Sequence, residues 1–183
     1  ASTYTGATTI SAGTLKLGGA GSGSNSPLGT TGTGTTVADG ATLDLNGYTL
    51  ATAEALTISG VGYSSAGALT NSSGTSATYS GLLTLGAAAT IKASSGDIVL
   101  TNAGTIAGAT YTLTLDGTST GSSLASVVGT TSGGITKSGN GTWTLSGAST
   151  YTGATTISAG TLKLGGAGSG SNSPLGTTGT GTT

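Results

Sequence analysis

Residues 148–183 read ASTYTGATTISAGTLKLGGAGSGSNSPLGTTGTGTT, and residues 1–36 read the same letters in the same order. The offset between the two copies is 147 residues, and every position of the second copy is identical to the first. Internal identity at a fixed period is the signature of a repeat architecture. We therefore predict one full unit at residues 1–147 and the start of the next identical unit at residues 148–183, and we expect a longer tandem array.

Short runs of alternating apolar and polar residues, each closed by glycine, fill the unit. Examples are residues 14–18 (TLKLG), 42–47 (TLDLNG), 112–117 (TLTLDG) and 142–147 (TWTLSG). Alternation with a period of two predicts half-buried strands, and glycine, asparagine and aspartate favour the tight turns between them. No apolar stripe of helical period appears, and frequent glycine disfavours helices. The chain is predicted to be all-β.

The join between the two copies distinguishes among the all-β architectures. Sandwiches and barrels close on themselves after a finite number of strands, whereas a solenoid continues from coil to coil. No proline-rich or charged linker separates residue 147 from residue 148. We therefore predict one continuous parallel β-solenoid. If the unit contained a whole number of coils, seven coils of about 21 residues or eight of about 18 would span roughly 34–38 Å.

Composition excludes several classes of function. The 183 residues include 37 glycines and no cysteine or histidine, 5% are charged, and the net charge is -1. This charge predicts no nucleic-acid binding, and no apolar run is long enough to insert in a membrane. Disorder is the alternative that abundant glycine suggests, but 34% hydrophobic residues with little net charge argue against it. The absence of cysteine fits a secreted bacterial surface protein.

Two motifs resemble functional sites only in their sequence letters. Residues 117–121 (GTSTG) match the nucleophile elbow, which also needs a histidine base and a helix. Residues 18–24 (GGAGSGS) approach a calcium-binding nonapeptide, but its aspartate position holds Gly23, and Asp39 and Asp44 are isolated. The five acidic residues form no evident acid–base pair, which disfavours glycosidase activity. We predict no catalytic residues, no cofactor and no metal.

The aromatic residues and the glycine-rich stretches are the candidates for packing and contact. Trp143 alternates in phase with Leu145 and is expected to point inward. Tyr63 and Tyr79, which lie among serine and alanine, are predicted to be exposed contact residues. Residues 18–26 and, more weakly, 30–36 are predicted to bulge from the coils as loops.

Two threonine pairs raise a further hypothesis. Thr112 with Thr114 and Thr142 with Thr144 would form ranks of threonine on a flat solenoid face. Such ranks resemble the ice-binding face of β-solenoid antifreeze proteins. However, Lys16 and Asp44 occupy equivalent positions elsewhere, so charges interrupt the array.

The segment across the join carries a family resemblance. Residues 141–165 (GTWTLSGASTYTGATTISAGTLKLG) closely resemble the passenger-associated transport repeat, or autotransporter-associated β-strand repeat. Trp143 stands where the pattern usually has leucine, and Ser149 where it usually has asparagine. The resemblance also covers residues 1–18 and implies a right-handed parallel β-helix in a secreted or surface-exposed bacterial passenger. It brings no catalytic residues.

These observations favour a structural role over two alternatives. The leading hypothesis is a shaft or stalk of an extracellular bacterial filament or autotransporter-like surface protein, and not an enzyme. The alternatives are an adhesin with ligand contacts on loops and, with less support, an ice-binding solenoid. The expected partner is the chain itself, through adjacent repeats or end-to-end and lateral fibre contacts. A host or neighbouring cell surface, or a glycan, is a further candidate partner.

Overall fold

The computed structural model describes residues 1–177. The last six residues of the predicted second unit, 178–183, lie outside this range. The described strands are β1 Thr8–Ile10, β2 Gly13–Lys16, β3 Asn25–Ser26, β4 Gly29–Thr30, β5 Thr35–Val37, β6 Ala41–Asp44, β7 Leu56–Gly60, β8 Leu69–Asn71, β9 Ala77–Tyr79, β10 Leu83–Ala93, β11 Ile98–Leu100, β12 Thr105–Ile106, β13 Leu113–Gly117, β14 Ser122–Leu124, β15 Val127–Val128, β16 Ile135–Lys137, β17 Thr142–Leu145, β18 Thr155–Ile157, β19 Thr161–Leu164, β20 Asn172–Ser173 and β21 Gly176–Thr177.

The strands stack in parallel into a β-solenoid, which confirms the predicted fold class. Within residues 1–177, every strand pairing is parallel except the small hairpins β3–β4 and β20–β21. The helical content described there is one three-residue 3-10 turn at Tyr63–Ser65. The right-handed winding that the resemblance implied stays a prediction.

The coil has three faces, each made of a stack of strands. The first face contains β1, β5, β7, the start of β10, β12 and β15. The second face contains β2, β6, β8, the end of β10, β13, β16 and β18. The third face contains β9, β11, β14, β17 and β19. Strand β10 belongs to two faces because its pairing register shifts between Leu85 and Ala89, where the chain turns the corner.

The core is a set of side-chain ladders inside the coil. On the second face the paired inward positions run Leu15, Leu43, Leu69, Ile91, Leu115, Lys137 and Ile157. On the third face they run Tyr79, Leu100, Leu124, Leu145 and Leu164. The apolar residues of the alternating runs therefore face one another from coil to coil, and their burial drives the stacking at about 25 cal/mol per Å² of apolar surface.

The coils are longer than the predicted 18–21 residues. On the second face, consecutive paired positions are 28, 26, 22, 24, 22 and 20 residues apart. The longer coils carry extra chain at the corners: the hairpin β3–β4 lies in the first and the turn at Tyr63–Ser65 in the second. Only the last coil, at the join, has the predicted length.

The solenoid continues through the join between residues 147 and 148. Strand β18 of the second copy pairs with β16, and β19 pairs with β17. Backbone hydrogen bonds from Thr150 and Tyr151 to Val128 connect the intervening turn to the coil below. The two copies therefore share one uninterrupted stack of coils within residues 1–177.

Candidate functional surface

The corner between the second and third faces is a polar ladder with a structural role. The Asp44 carboxylate accepts hydrogen bonds from the Asn46 amide at 2.9 Å and the Ser72 hydroxyl at 2.6 Å, and its oxygen lies 3.6 Å from the Lys16 amine. One coil on, the Asn71 side chain donates to the backbone carbonyls of Thr75 and Asp97. These buried groups satisfy turn amides and carbonyls, which would otherwise carry a desolvation cost.

The nucleophile-elbow letters at residues 117–121 lie in such a turn. The Ser119 hydroxyl is 2.8 Å from the Ser122 hydroxyl, and the Gly121 amide donates to the Asp97 carboxylate at 2.7 Å. The segment follows strand β13 and leads to strand β14, not to a helix. The turn interpretation is confirmed.

No metal-binding cluster is present among residues 1–177, because nowhere in that range do three histidine, cysteine, aspartate or glutamate side chains gather. The carboxylates of Asp44 and Asp97 accept hydrogen bonds from turn amides, and the Asp116 carboxylate lies 3.5 Å from the Lys92 amine. The same part of the chain contains no helix long and apolar enough to cross a membrane.

Glu54 is a buried carboxylate that forms no ion pair with any lysine among residues 1–177. It is 1% exposed and accepts hydrogen bonds from the Thr35 hydroxyl at 2.6 Å and the Ser26 hydroxyl at 3.4 Å. Burial raises the pKa of this carboxyl, and the two hydroxyls partly oppose that shift. Its backbone carbonyl accepts a hydrogen bond from the buried Tyr79 hydroxyl at 2.7 Å. The sequence analysis did not single out Glu54, because its only sign in the sequence is a single acidic residue in a stretch where alternate positions are buried.

Lys137 is a buried amine that caps a turn. It is fully buried at an inward position of β16, and its amine donates to the carbonyls of Ser138 at 2.6 Å, Gly139 at 2.8 Å and Ala159 at 3.3 Å. Burial lowers the pKa of this amine, while the nearby Asp116 carboxylate raises it. Because Ala159 lies in the second copy, Lys137 links the end of one unit to the start of the next.

The aromatic predictions have different outcomes. Trp143 is 1% exposed, so the inward prediction is confirmed, and its indole donates to the Asp116 carbonyl at 3.1 Å. Tyr63 is 53% exposed, as predicted. The prediction for Tyr79 is wrong, because its side chain is fully buried. Tyr79 alternates with Thr78 in β9, which places it at an inward position beside Leu100.

The turn at residues 61–66 presents exposed apolar side chains. Val61 is 56% exposed and Tyr63 is 53% exposed. The turn is held by the coils on both sides, since the Tyr63 amide donates to the Thr42 hydroxyl of the preceding coil at 2.8 Å and the Lys92 amine of the following coil donates to the Ser65 carbonyl at 3.3 Å. Gly62 has φ 81°, and a Cβ there would lie 2.1 Å from the Gly67 carbonyl oxygen, so only glycine fits.

The predicted loop at residues 18–26 is partly ordered into the small hairpin β3–β4. Ser22 and Asn25 form a bridge, whereas Ser26 is fully buried against Glu54. The second weak region, 30–36, does not bulge throughout, because Thr35 begins strand β5 and is 2% exposed. The exposed parts of these segments are therefore the turns at residues 22–24 and 31–33, together with Gly18 and the outward Thr36.

The two predicted threonine pairs lie on different faces of the solenoid and do not form one array. Thr114 lies on the second face, whereas Thr142 and Thr144 lie on the third, beside Thr161 and Lys163. The columns are Thr9, Thr36, Thr57 and Thr84 on the first face, and Thr90, Thr114, Thr136 and Thr156 on the second. The neighbouring column on the second face contains Lys92 and Asp116, whose charged atoms are 3.5 Å apart.

Comparison with known protein families identifies the segment around the join. The family model for the passenger-associated transport repeat matches residues 1–17 and 135–164. The comparisons with curated proteins and with solved structures give no significant match. Residues 1–17 and 135–164 thus match the passenger-associated transport repeat, as the resemblance predicted, and that family is one of secreted or cell-surface proteins.

Proposed function

We propose that the chain is a segment of an extended shaft in a bacterial surface or extracellular protein, built from tandem passenger-type units. The observation that carries this proposal is the join: the start of the second unit pairs strand by strand with the end of the first. Each coil donates backbone hydrogen bonds to the next, so an array of such units would be a stiff rod and not a string of separate domains. The self-contacts between adjacent units are its main proposed partner surface.

A non-catalytic role is part of the proposal. The carboxylates of Asp44 and Asp97 hold turn amides, and the buried Glu54 has only hydroxyl partners. Trypsin-like or glycosidase-like chemistry needs a base or a pair of carboxyl groups facing a substrate. Nothing in the geometry of these side chains supports that kind of site.

Electron cryo-microscopy of the native protein tests the shaft. We expect thin continuous rods with an axial striation of about 4.8 Å, the spacing between hydrogen-bonded strands. Rods of constant diameter would support the proposal. Compact particles, or beads joined by flexible links, would overturn it.

An adhesin with contacts on its turns is the second candidate, favoured by the exposed apolar turn at residues 61–66. Val61 and Tyr63 are two residues apart in this turn, and each has more than half of its surface in solvent. A double variant, Val61→Ser with Tyr63→Ser, should abolish binding of the full chain to a glycan array or to whole cells if this turn is the contact site. Tyr111→Ser is the matched control, since Tyr111 is 37% exposed on another turn. Undiminished binding by the double variant would exclude this turn.

Ice binding has less support than either. It needs a regular flat array of hydroxyl groups, whereas the second face sets one threonine column beside the Lys92–Asp116 ion pair.

A further inference from the structure

The two identical copies do not occupy the same faces of the solenoid. In the first copy, residues 8–10 lie on the first face, where they pair with Thr35–Val37. In the second copy, the identical residues 155–157 lie on the second face, where they pair with Ile135–Lys137. The following strand moves in the same way, because β2 lies on the second face and its counterpart β19 lies on the third.

The ladder on the second face gives the size of this shift. Leu15 and Ile157 belong to one ladder and are separated by six coils, or 142 residues. The repeat counterpart of Leu15 is Leu162, five residues further on, and it pairs with Trp143 on the third face. One unit of 147 residues therefore makes six full coils and advances by one more face.

Contacts inside each copy show that this difference is a rotation of the same structure. The Thr30 amide donates to the Tyr4 carbonyl at 3.0 Å, and its counterpart Thr177 donates to the Tyr151 carbonyl at 3.0 Å. The hairpins β3–β4 and β20–β21 have equivalent registers, Asn25 with Thr30 and Asn172 with Thr177. The internal geometry is preserved while the supporting face changes.

We infer that each unit winds six and one third coils, so that successive units of an array are rotated by one face of the three-sided shaft. This inference rests on the proposed array for its extent, but the shift itself lies within residues 1–177. It replaces the expectation of a whole number of coils per unit. At about 4.8 Å per coil, a unit rises about 30 Å and turns about 120°, before the gradual twist of the sheets is added.

The rotation joins features that the sequence separates. The threonine column on the second face ends at Thr156, which is the repeat counterpart of Thr9. In the next unit that face therefore continues with the counterparts of Thr36, Thr57 and Thr84. Each unit boundary is thereby crossed by an outward threonine column seven coils long.

The same rotation distributes the exposed turn around the shaft. The turn with Val61 and Tyr63 would appear on each of the three sides in succession. It would return to the same side after three units, or nineteen coils, which corresponds to about 91 Å. A shaft of this kind has no single apolar side, so its turns can meet partners from every direction.

Distances between spin labels in the full chain test the rotation. The chain has no cysteine, so labels at Thr9, Thr14 and Thr156 can be introduced in pairs. Thr14 and Thr156 share one outward column six coils apart, so we expect a separation of about 29 Å. Thr9 and Thr156 are repeat counterparts on different faces, so we expect that pair to be further apart, since five residues advance a strand by up to about 16 Å.

The opposite ranking, with Thr9 closer to Thr156 than Thr14 is, would show a whole number of coils and overturn the inference. A second measurement does not depend on the labels. Thr136 and Thr156 are direct neighbours on adjacent coils, so T136C with T156C should form a disulfide in high yield on oxidation, and T136C with T161C should not. Crosslinking of the second pair and not the first would also overturn it.

These outcomes can be separated from those of the shaft proposal. If the label distances rank as expected but the native protein forms beads, the rotation stands and the shaft fails. If native rods show unit density every 30 Å or so on one unchanging side, the shaft stands and the rotation fails.

Discussion

The two copies of the repeat have the same amino-acid sequence, but their side chains lie in different environments. Tyr4 is 43% exposed, whereas Tyr151 is fully buried. The order is reversed at another position of the same segment, where Leu17 is 2% exposed and Leu164 is 54% exposed. Tyr151 rests on the coil that ends at Val128, and Leu17 is covered by the coil that contains Asp44. The burial of a side chain in this protein therefore depends as much on whether a neighbouring coil covers it as on the residue type.

The largest expected effect comes from the tyrosine pair. Tyr151→Ala should lower the free energy of unfolding by about 3–5 kcal/mol, because it removes a buried aromatic ring between coils. Tyr4→Ala should cost about 1 kcal/mol or less, since its ring is partly solvated. Denaturant unfolding followed by circular dichroism, which reports on strands at both ends of the chain, measures the two variants with one signal. Equal losses in the two variants would contradict the explanation by neighbouring coils.

The leucine pair should give a smaller difference in stability, and here the variant in the first copy should be the less stable one. Leu17→Ala is expected to cost about 2–4 kcal/mol, because a buried leucine is lost from beneath the next coil. Leu164→Ala should change stability by about 0.5 kcal/mol or less, as is usual for exposed positions. Urea unfolding monitored by circular dichroism, with Leu162→Ala as a half-buried intermediate, orders the three variants. A Leu164 variant as unstable as the Leu17 variant would mean that another surface covers Leu164 in solution.

The alternating runs allowed most of the strands to be predicted, because period-two alternation reports directly which side chains face inward. Trp143 and Leu145 illustrate this, since both are buried as their phase requires. Tyr79 was missed because its serine and alanine neighbours suggested exposure, although alternation around Thr78 already placed it inward. Phase along the strand was the better guide than local composition.

The coil length and the one-face shift were not predictable from the same pattern. Alternation indicates which side chains of a strand point inward, but it does not indicate how many residues lie in the corners between strands. The turn at residues 61–66 and the register shift in β10 both add chain without adding a coil. The buried Glu54 and Lys137 were missed for a related reason, since their partners Thr35, Ser26 and Ala159 come from adjacent coils.

The smallest expected effect compares the serines that close the two hairpins, Ser26 and Ser173. Both hydroxyls can donate to the carbonyl of the residue three positions on, but the single Ser26 proton is shared between that carbonyl, at 3.3 Å, and the Glu54 carboxylate, at 3.4 Å. Burial raises the pKa of Glu54 in the folded state, so the folded chain holds this proton to a higher pH than the unfolded chain. Stability from this group should be present below the ordinary glutamate pKa and should fall as pH rises through the raised value.

Glu54→Gln should remove that fall and leave stability flat across the same pH range. Ser26→Ala should steepen the fall, because the carboxylate loses one of its two hydroxyl donors. Ser173→Ala should leave the pH dependence unchanged and so serves as the matched control. Urea midpoints of the wild-type chain and the three variants, measured from pH 4 to pH 8, test these expectations. A wild-type chain that gained stability over this range, with the gain lost in Glu54→Gln, would mean that the charged carboxylate is stabilised by the fold and not penalised by it.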